Sequence, residues 1–104
     1  MSAPFQRLEK LNTKECLWLY VLRILADKPL HAYVLRSEIK KRYGFLPGTV
    51  TAYKVLYLLK KDGFVKKTQK GRTVVYSITP KGKRELQKAV DFYKKRIELL
   101  EVKK

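Results

Sequence analysis

One continuous stretch, from Leu46 to Ile78, most constrains what this chain can fold into. It is predicted to contain a helix that begins near Thr49 and ends at Gly63, followed by two runs of strand-forming residues. Apolar residues recur along the helical part at steps of three and four, the spacing of a helix that faces a core. A basic segment containing a glycine separates the two strand runs, which predicts a hairpin.

The two sides of this predicted helix differ in chemistry. The side expected to face the core consists of Ala52, Leu56, Leu59 and Gly63. The opposite side consists of Val50, Lys54, Tyr57 and Lys61. A buried side would not carry two lysines, and a purely solvated side would not mix them with a valine and a tyrosine. The mixture favours a surface that enters a groove of DNA.

The predicted hairpin has a basic tip. Phe64 and Val65 resume as a strand, a turn is predicted over residues 66–72, and the second strand follows over residues 73–78. Four positive charges and a glycine lie in this turn: Lys66, Lys67, Lys70, Gly71 and Arg72. A helix that ends in glycine and leads into such a hairpin is the second half of a winged helix-turn-helix.

Three segments resemble the PadR-like transcriptional regulators. Residues 51–65 are similar to that family's T-V-Y-x-x-L-x-x-L-x-x-x-G-L-I run, residues 29–35 to its P-L-H-G-Y-E-I, and residues 71–82 to its G-R-x-x-x-Y-x-L-T-x-x-G. The segments occur in the family's order and cover about half of the chain. The resemblance implies a mainly α fold with a small β-hairpin (α+β), the winged helix-turn-helix, and a DNA-binding role in transcription regulation.

Upstream, the first core helix is predicted to start at Asn12, because Asn12 and Glu15 have the spacing of a capping box ahead of an apolar run. Pro29 ends this helix, which is apolar on most sides and is therefore expected to be central. Residues 1–11 are polar and basic around three apolar side chains. They form either a loose arm or a short helix that crosses to a partner subunit, and the sequence leaves both alternatives open.

The second helix is predicted from Leu30 to about Tyr43, with Tyr33 facing inward and Gly44 ending it. Thr49 or Thr51 is expected to cap the helix that follows. In a helix-turn-helix the second helix lies across the phosphate backbone and the third enters the major groove. The basic outer side of helix two suits that position, although it also fits an ordinary solvated face.

Only the N-terminal part of a recognition helix normally reaches base edges, which makes Thr51 and Lys54 the best-placed residues. Lys54 can donate to guanine or hold a phosphate, and both alternatives remain open. Tyr53 is expected to pack its ring and to point its hydroxyl toward a phosphate. The predicted DNA contacts are Thr49, Val50, Thr51, Tyr53, Lys54, Tyr57 and Lys61 in the recognition helix, Lys66, Lys67, Lys70, Gly71 and Arg72 in the wing, and Arg36 and Lys40 in helix two.

The last segment, residues 80–104, is predicted to be a dimerisation helix that follows a winged helix-turn-helix domain over residues 12–79. Thr79 caps this helix and Pro80 takes its first position. Apolar residues then recur in a heptad rhythm, at Leu86, Val90, Tyr93, Ile97 and Leu100. A two-fold dimer is expected to cover this stripe, which would place two recognition helices roughly 34 Å apart. The alternative is a helix that folds back on its own domain.

The net charge of +16, from 25 basic and 9 acidic residues, favours an anionic partner. Double-stranded DNA is the first candidate. A membrane is disfavoured because no run approaches the roughly 18 apolar residues of a spanning helix. The N-terminus also lacks the apolar stretch of a secretory signal, so we expect a cytoplasmic, nucleoid-associated protein.

Catalysis finds no support in the sequence. Cys16 and His31 are the only residues of their types, which excludes an internal disulfide and paired-histidine sites. We expect no enzyme activity, no cofactor and no metal, and we interpret Cys16 as a core residue. A small-molecule effector is not supported either, because the aromatic residues that could line a pocket are more simply explained as core: Trp18, Phe92 and Tyr93.

Three functions remain for such a chain. The first is a sequence-specific, homodimeric regulator of transcription. The second is a sequence-tolerant chromatin or architectural protein, because the high charge strengthens binding to any duplex. The third is an RNA-binding or protein-interaction winged helix, which would need surface aromatics that stack on bases, and only Tyr57 qualifies.

Overall fold

A computed structural model describes residues 3–103. These residues form five α-helices and one three-stranded antiparallel sheet with strand order β1-β3-β2. The elements are α1 (Pro4–Asn12), α2 (Leu17–Leu25), β1 (Leu30–His31), α3 (Ala32–Tyr43), α4 (Thr49–Lys61), β2 (Val65–Lys70), β3 (Thr73–Ile78) and α5 (Pro80–Leu100). Helices α2, α3 and α4 followed by the β2–β3 hairpin make a winged helix-turn-helix, so the predicted fold class is confirmed.

The core forms where α2, α3, α4 and the sheet meet. Helix α2 lies at its centre and buries Leu17, Val21, Leu22, Ile24 and Leu25. Each fully buried aliphatic side chain of this size stabilises the fold by about 1.5–3 kcal/mol. The central position predicted for the first core helix is therefore correct, and it explains why this helix is apolar on most sides.

Helix α4 has the two faces that its sequence predicts. Ala52, Leu56 and Leu59 are buried against the core, whereas the opposite side is exposed. Gly63 was predicted to lie on the buried face, but it is exposed. It instead follows the helix with φ +79°, and the amide of Phe64 donates to Leu59 O at 2.9 Å. This is a Schellman ending, which needs a left-handed residue and so favours glycine.

The cap of α4 differs from the prediction. Neither Thr49 nor Thr51 caps the helix, because both lie within its first turn. Gly48 is the N-cap residue, with an extended backbone and no side-chain hydrogen bond, and its carbonyl accepts from the amide of Ala52 at 2.9 Å. The N-terminus of α4 therefore has no side-chain cap.

Helix α3 starts later than predicted, because Leu30 and His31 form the short strand β1 paired with β3. Starting at Ala32, the helix turns Ala32, Leu35 and Ile39 inward. The prediction that Tyr33 faces inward is wrong, since this side chain is 67% exposed. Its position one residue after Ala32 places it about 100° around the helix from the buried stripe.

The N-terminal residues form α1, the short-helix alternative for that segment. The prediction that Asn12 caps the central helix is wrong, because Asn12 is the last residue of α1 and a 3-10 turn, Lys14–Cys16, precedes α2. The amide oxygen of Asn12 accepts from the Tyr93 hydroxyl at 2.7 Å, and its carbonyl accepts from the Tyr20 hydroxyl. These bonds join α1 to α2 and α5, and they occupy the groups that a cap would use.

The wing is longer and its turn tighter than predicted. Lys66, Lys67 and Lys70 were assigned to the turn, but they belong to β2, which pairs with β3 along its whole length. The turn consists of Gly71 and Arg72 alone. Lysine-rich segments have a low intrinsic strand preference, and pairing with the branched and aromatic residues of β3 overrides it here.

Helix α5 begins as predicted. Thr79 is its N-cap and accepts from the amide of Gly82 at 3.0 Å, and Pro80 occupies its first position. The helix ends at Leu100, and the predicted helical residues after it are non-helical up to Lys103. Met1, Ser2 and Lys104, which belong to the predicted N-terminal arm and dimerisation helix, lie outside the described residues.

The start of α5 is tied to the end of α4. The Thr79 amide donates to Phe64 O at 3.1 Å, and its hydroxyl donates to Gly63 O at 2.6 Å. Lys81 Nζ donates to Asp62 O at 2.7 Å. A Cβ on Gly82 would overlap the Phe64 carbonyl oxygen and lie 2.8 Å from Ile78 Cγ1. Gly82 therefore permits the close contact between α5 and the α4–β2 connection.

We expect Gly82→Ala to lower the free energy of unfolding by about 3 kcal/mol, because the added methyl group forces backbone atoms apart in a packed junction. Denaturant unfolding followed by circular dichroism, at one fixed protein concentration, measures this change. The control is Lys83→Ala, at the next, exposed position, which should stay within about 0.5 kcal/mol of wild type. Equal stabilities for the two variants would contradict the close packing at Gly82.

Candidate nucleic-acid interface

The outer side of α4 is open to solvent over its whole length. All seven residues predicted for DNA contact in this helix are exposed, and Val50, at 83%, is the most exposed of its apolar residues. Tyr57 is also exposed, at 62%. Exposed apolar and aromatic side chains that are grouped on one face, beside lysines, indicate a surface that contacts a partner.

The wing presents the predicted residues in a fixed arrangement. Lys66, Lys67, Lys70, Gly71 and Arg72 are all exposed, and β2 is an outer strand of the sheet. Gly71 has φ +61°, and no other residue of this two-residue turn has a positive φ, the pattern of a type II′ hairpin. Gln69 Nε2 donates to Gly71 O at 2.9 Å, and the Thr73 hydroxyl donates to Lys70 O at 2.9 Å. Side chains therefore brace the tip that carries Arg72.

Helix α4 and the wing meet the start of α3 in one cleft of about 350 Å³. Tyr53 lines it from α4, Lys67 and Arg72 line it from the wing, and Tyr33 lines it from α3. The remaining lining residues are His31, Ala32, Thr73, Val74 and Tyr76. The cleft brings together predicted contacts of the recognition helix and the wing, and it joins them into one surface.

Charge is concentrated in the part of the chain that builds this surface. From Ile39 to Arg84 inclusive, the sequence has one acidic residue, Asp62, and thirteen basic residues. The carboxylates of Asp27 and Glu38 lie elsewhere and pair with arginines: Asp27 with Arg23 and Arg42, and Glu38 with Arg42. Those arginines hold the pKa of Asp27 below its usual range, first through their hydrogen bonds. The recognition helix and the wing keep their positive charge.

The two residues of α3 that were predicted to contact the DNA backbone differ in their surroundings. Lys40 is exposed, as expected. Arg36 is half-buried, and its Nε donates to Pro47 O at 3.0 Å. This bond supports the turn between α3 and α4, so Arg36 has a structural task that the sequence analysis did not identify.

Tyr33 and His31 also belong to this face, although neither was predicted to contact DNA. Their rings are stacked with centroids 5.6 Å apart and an interplanar angle of 12°. His31 Nδ1 lies 3.2 Å from Val74 O, which holds the ring against β3. The sequence signal for this pair was the spacing of His31 and Tyr33 in the segment that resembles P-L-H-G-Y-E-I. Tyr33 was instead expected to face the core. Nearby, burial and then the charge of Tyr53 raise the pKa of Tyr76 above its usual value.

A second candidate surface lies at α1 and α5. Along the predicted dimer stripe, Leu86, Val90 and Tyr93 are half-buried against this chain, whereas Ile97 and Leu100 are exposed. A groove of about 560 Å³ runs between the two helices, lined mostly by apolar and aromatic side chains. Phe92 is 59% exposed beside it, so its assignment to the core is wrong.

Two further residues expected in the core lie at its margin. Trp18 is half-buried and packs against the core from one side, while its other side borders α4 and α5. Cys16 is half-buried where the 3-10 turn meets α5, next to the Tyr93 hydroxyl. Burial raises the pKa of the Cys16 thiol, which favours its less reactive protonated form at neutral pH.

Residues 3–103 contain no group of His, Cys, Asp and Glu side chains that could hold a metal ion. Within the same residues, no helix combines the length and the apolarity that crossing a membrane requires.

The wing tip offers a direct test. We expect Gly71→Ala to lower the free energy of unfolding by about 1 kcal/mol, because an L side chain is strained at this positive φ. Affinity for a DNA duplex should fall with it as the tip distorts. A protein assembled by peptide ligation with D-alanine at position 71 is the control, since a D residue favours positive φ. Denaturant unfolding and duplex titration measure both effects, and wild-type behaviour of Gly71→Ala would contradict the assigned turn.

Comparison with known proteins agrees with this geometry. The model of the transcriptional regulator PadR-like family matches residues 21–88, which include α3, α4 and the whole wing. No curated protein matches the sequence.

Solved structures share the fold. Protein TA0346 from Thermoplasma acidophilum is 30% identical, with a TM-score of 0.64 over 84% of this chain and 90% of that chain. Bacillus subtilis PadR, solved in complex with operator DNA, is 26% identical, with a TM-score of 0.63 over 72% of this chain and 46% of that chain. A winged-helix DNA-binding protein from STIV is 22% identical, with a TM-score of 0.70 over 82% and 94%. The family match spans more than half of the present chain, and the chain therefore belongs to the PadR-like family of transcriptional regulators.

Proposed function

We propose that this protein is a homodimeric regulator of transcription that binds double-stranded DNA in a sequence-specific manner. Helix α4 enters the major groove, and the basic wing contacts the backbone or the adjacent minor groove. The observation that carries this proposal is the single exposed surface that α4 and the wing form around one cleft. The operator complex of Bacillus subtilis PadR supports it by similarity of fold.

The outer side of α4 suits base reading near its N-terminus. Thr51 and Lys54 are exposed there, whereas Ala52 and Leu56 in the same turns are buried against the core. The major groove, about 12 Å wide, admits a helix, and lysine and threonine can bond to base edges in it. Lys61, at the far end of α4, is placed for a phosphate contact. This division gives one helix both a specific and a positioning part.

The wing suits the backbone and the minor groove. Its lysines follow an outer strand, and Arg72 projects from a two-residue tip that is braced by hydrogen bonds. Arginine is the residue that narrow minor grooves attract most strongly. A rigid tip loses little conformational entropy on binding, which favours affinity.

Self-association is proposed through α5, with α1 beside it. Phe92, Ile97, Leu99 and Leu100 are exposed on α5, and Phe5, Leu8 and Leu11 are exposed on α1. Apolar groups in such number on one chain mark an interaction site. A two-fold axis pairs the same patch on both copies, and it would present two recognition helices to one duplex.

A sequence-tolerant architectural role is the second candidate, favoured by the single acidic residue and thirteen basic ones from Ile39 to Arg84 inclusive. Specificity separates the two functions. Binding should be measured to the DNA upstream of the protein's own gene and to an unrelated duplex of equal length, across a salt series. A preference of about a thousandfold or more supports the regulator, and equal affinities favour the architectural role.

Lys54→Ala tests base reading. If Lys54 contacts a base, the variant should lose about 1–3 kcal/mol on the preferred duplex and much less on the unrelated one. Lys61→Ala is the control, because a phosphate contact is lost equally on both duplexes. Titrations of both variants at one salt concentration provide the comparison. Equal losses for Lys54→Ala on the two duplexes would assign Lys54 to the backbone.

Ile97→Asp combined with Leu100→Asp tests the dimer. Two carboxylates in an apolar seam should convert the dimer to monomers, because each buried charge would be unpaired. Sedimentation equilibrium measures the mass, and circular dichroism checks that the helices persist. Lys95→Asp, on the polar side of α5, is the control and should remain dimeric. Retained dimers in the double variant would move the interface away from the C-terminal part of α5.

A further inference from the structure

The cleft between α3, α4 and the wing has a lining that selects for anions. Its ionisable groups are two cations, Lys67 and Arg72, one imidazole, His31, and the phenols of the tyrosines, and no carboxylate lines it. Lysine, arginine and phenol all donate hydrogen bonds. An anion entering this cleft would meet donors from three different elements.

Tyr33 is held in position for such contacts. Its ring stacks on His31, and His31 is itself fixed because a carbonyl oxygen only accepts, so Nδ1 must carry the proton that points to Val74 O. The side chain of Tyr33 is nevertheless 67% exposed. A stacked but exposed tyrosine offers its hydroxyl to a partner with little further loss of rotamer freedom.

The position of the cleft identifies the anion. In a duplex, the major groove and the minor groove are separated by one sugar–phosphate strand. If α4 occupies the first groove and the wing the second, that strand must pass over the cleft, which Tyr53 lines from α4 and Lys67 lines from the wing. This step rests on the proposed function.

We propose that the cleft binds one backbone phosphate of this strand, with the hydroxyls of Tyr33 and Tyr53 and the ammonium group of Lys67 as its ligands. Tyr33 is then a DNA-contacting residue of the N-terminal turn of α3. It reads no base. Its role is to fix the register of the strand between the two grooves, and its contribution to affinity is the same on every sequence.

The test uses Tyr33→Phe, which removes the hydroxyl and keeps the stacked ring. Two unrelated duplexes of equal length should both be bound about tenfold more weakly, because a hydrogen bond to a charged group is lost. The dependence of affinity on salt should not change, since no charge is removed. Lys67→Ala should weaken binding and reduce the salt slope by about one, the value for one phosphate contact.

Two controls separate contact from structure. Tyr43→Phe, the same change in the same helix, affects a ring that packs against Tyr20 with centroids 4.7 Å apart and should leave affinity unchanged. The thermal midpoint of Tyr33→Phe should equal that of wild type. Combining Tyr33→Phe with Lys67→Ala should weaken binding by less than the product of the separate effects, because both residues hold one phosphate.

The outcomes distinguish this proposal from the proposed function. Wild-type affinity of Tyr33→Phe on both duplexes, while the wild-type protein binds them, would overturn the phosphate site alone. Unequal losses on the two duplexes would also overturn it, because they would indicate a base contact. Failure of the wild-type protein to bind any duplex would overturn both proposals together.

Discussion

The junction at Phe64 is the constraint on which the remaining structure depends. Its amide closes the Schellman ending of α4, and its carbonyl accepts from Thr79 at the start of α5. Gly82 brings α5 against that carbonyl, at a distance that leaves no room for a Cβ. Phe64 therefore connects the end of α4, the start of β2 and the start of α5. A dimer built through α5 would thereby also fix the distance and angle between its two recognition helices.

The core and the candidate DNA-binding surface consist largely of separate sets of residues. Within residues 3–103 the buried side chains are apolar, apart from the Tyr76 hydroxyl, and no buried polar side-chain atom lacks a hydrogen-bond partner. The positive charges therefore lie outside the core, where they repel one another and where an anion can neutralise them. The paired arginines near Asp27 show how the few carboxylates are used. Asp27 links Arg23 of α2 to Arg42 of α3, and it does not neutralise the lysines and the arginine of α4 and the wing.

Periodicity and capping chemistry predicted the helices that bury one continuous face. The inward and outward sides of α4, the Thr79 cap and the Gly44 stop all follow from local rules. Two of the errors lie where tertiary pairing decides. Strand β1 has only two residues and no period, yet its pairing with β3 delays the start of α3 to Ala32. Asn12 fits a capping box locally, but it accepts hydrogen bonds from Tyr20 and Tyr93 and thereby connects α1 to α2 and α5. The basic surface was predictable residue by residue, whereas the cleft that unites it was not, because its walls come from three separate segments.

The most direct test of this account is a hydroxyl-radical footprint of the wild-type protein on a duplex that it prefers. A dimer with α4 in successive major grooves predicts two protected regions of similar shape, related by two-fold symmetry and separated by roughly 10 base pairs. Each should extend across the adjacent minor groove where the wing lies. A single short protected region, or protection without any repeat, would contradict the joint use of α4, the wing and the α5 dimer.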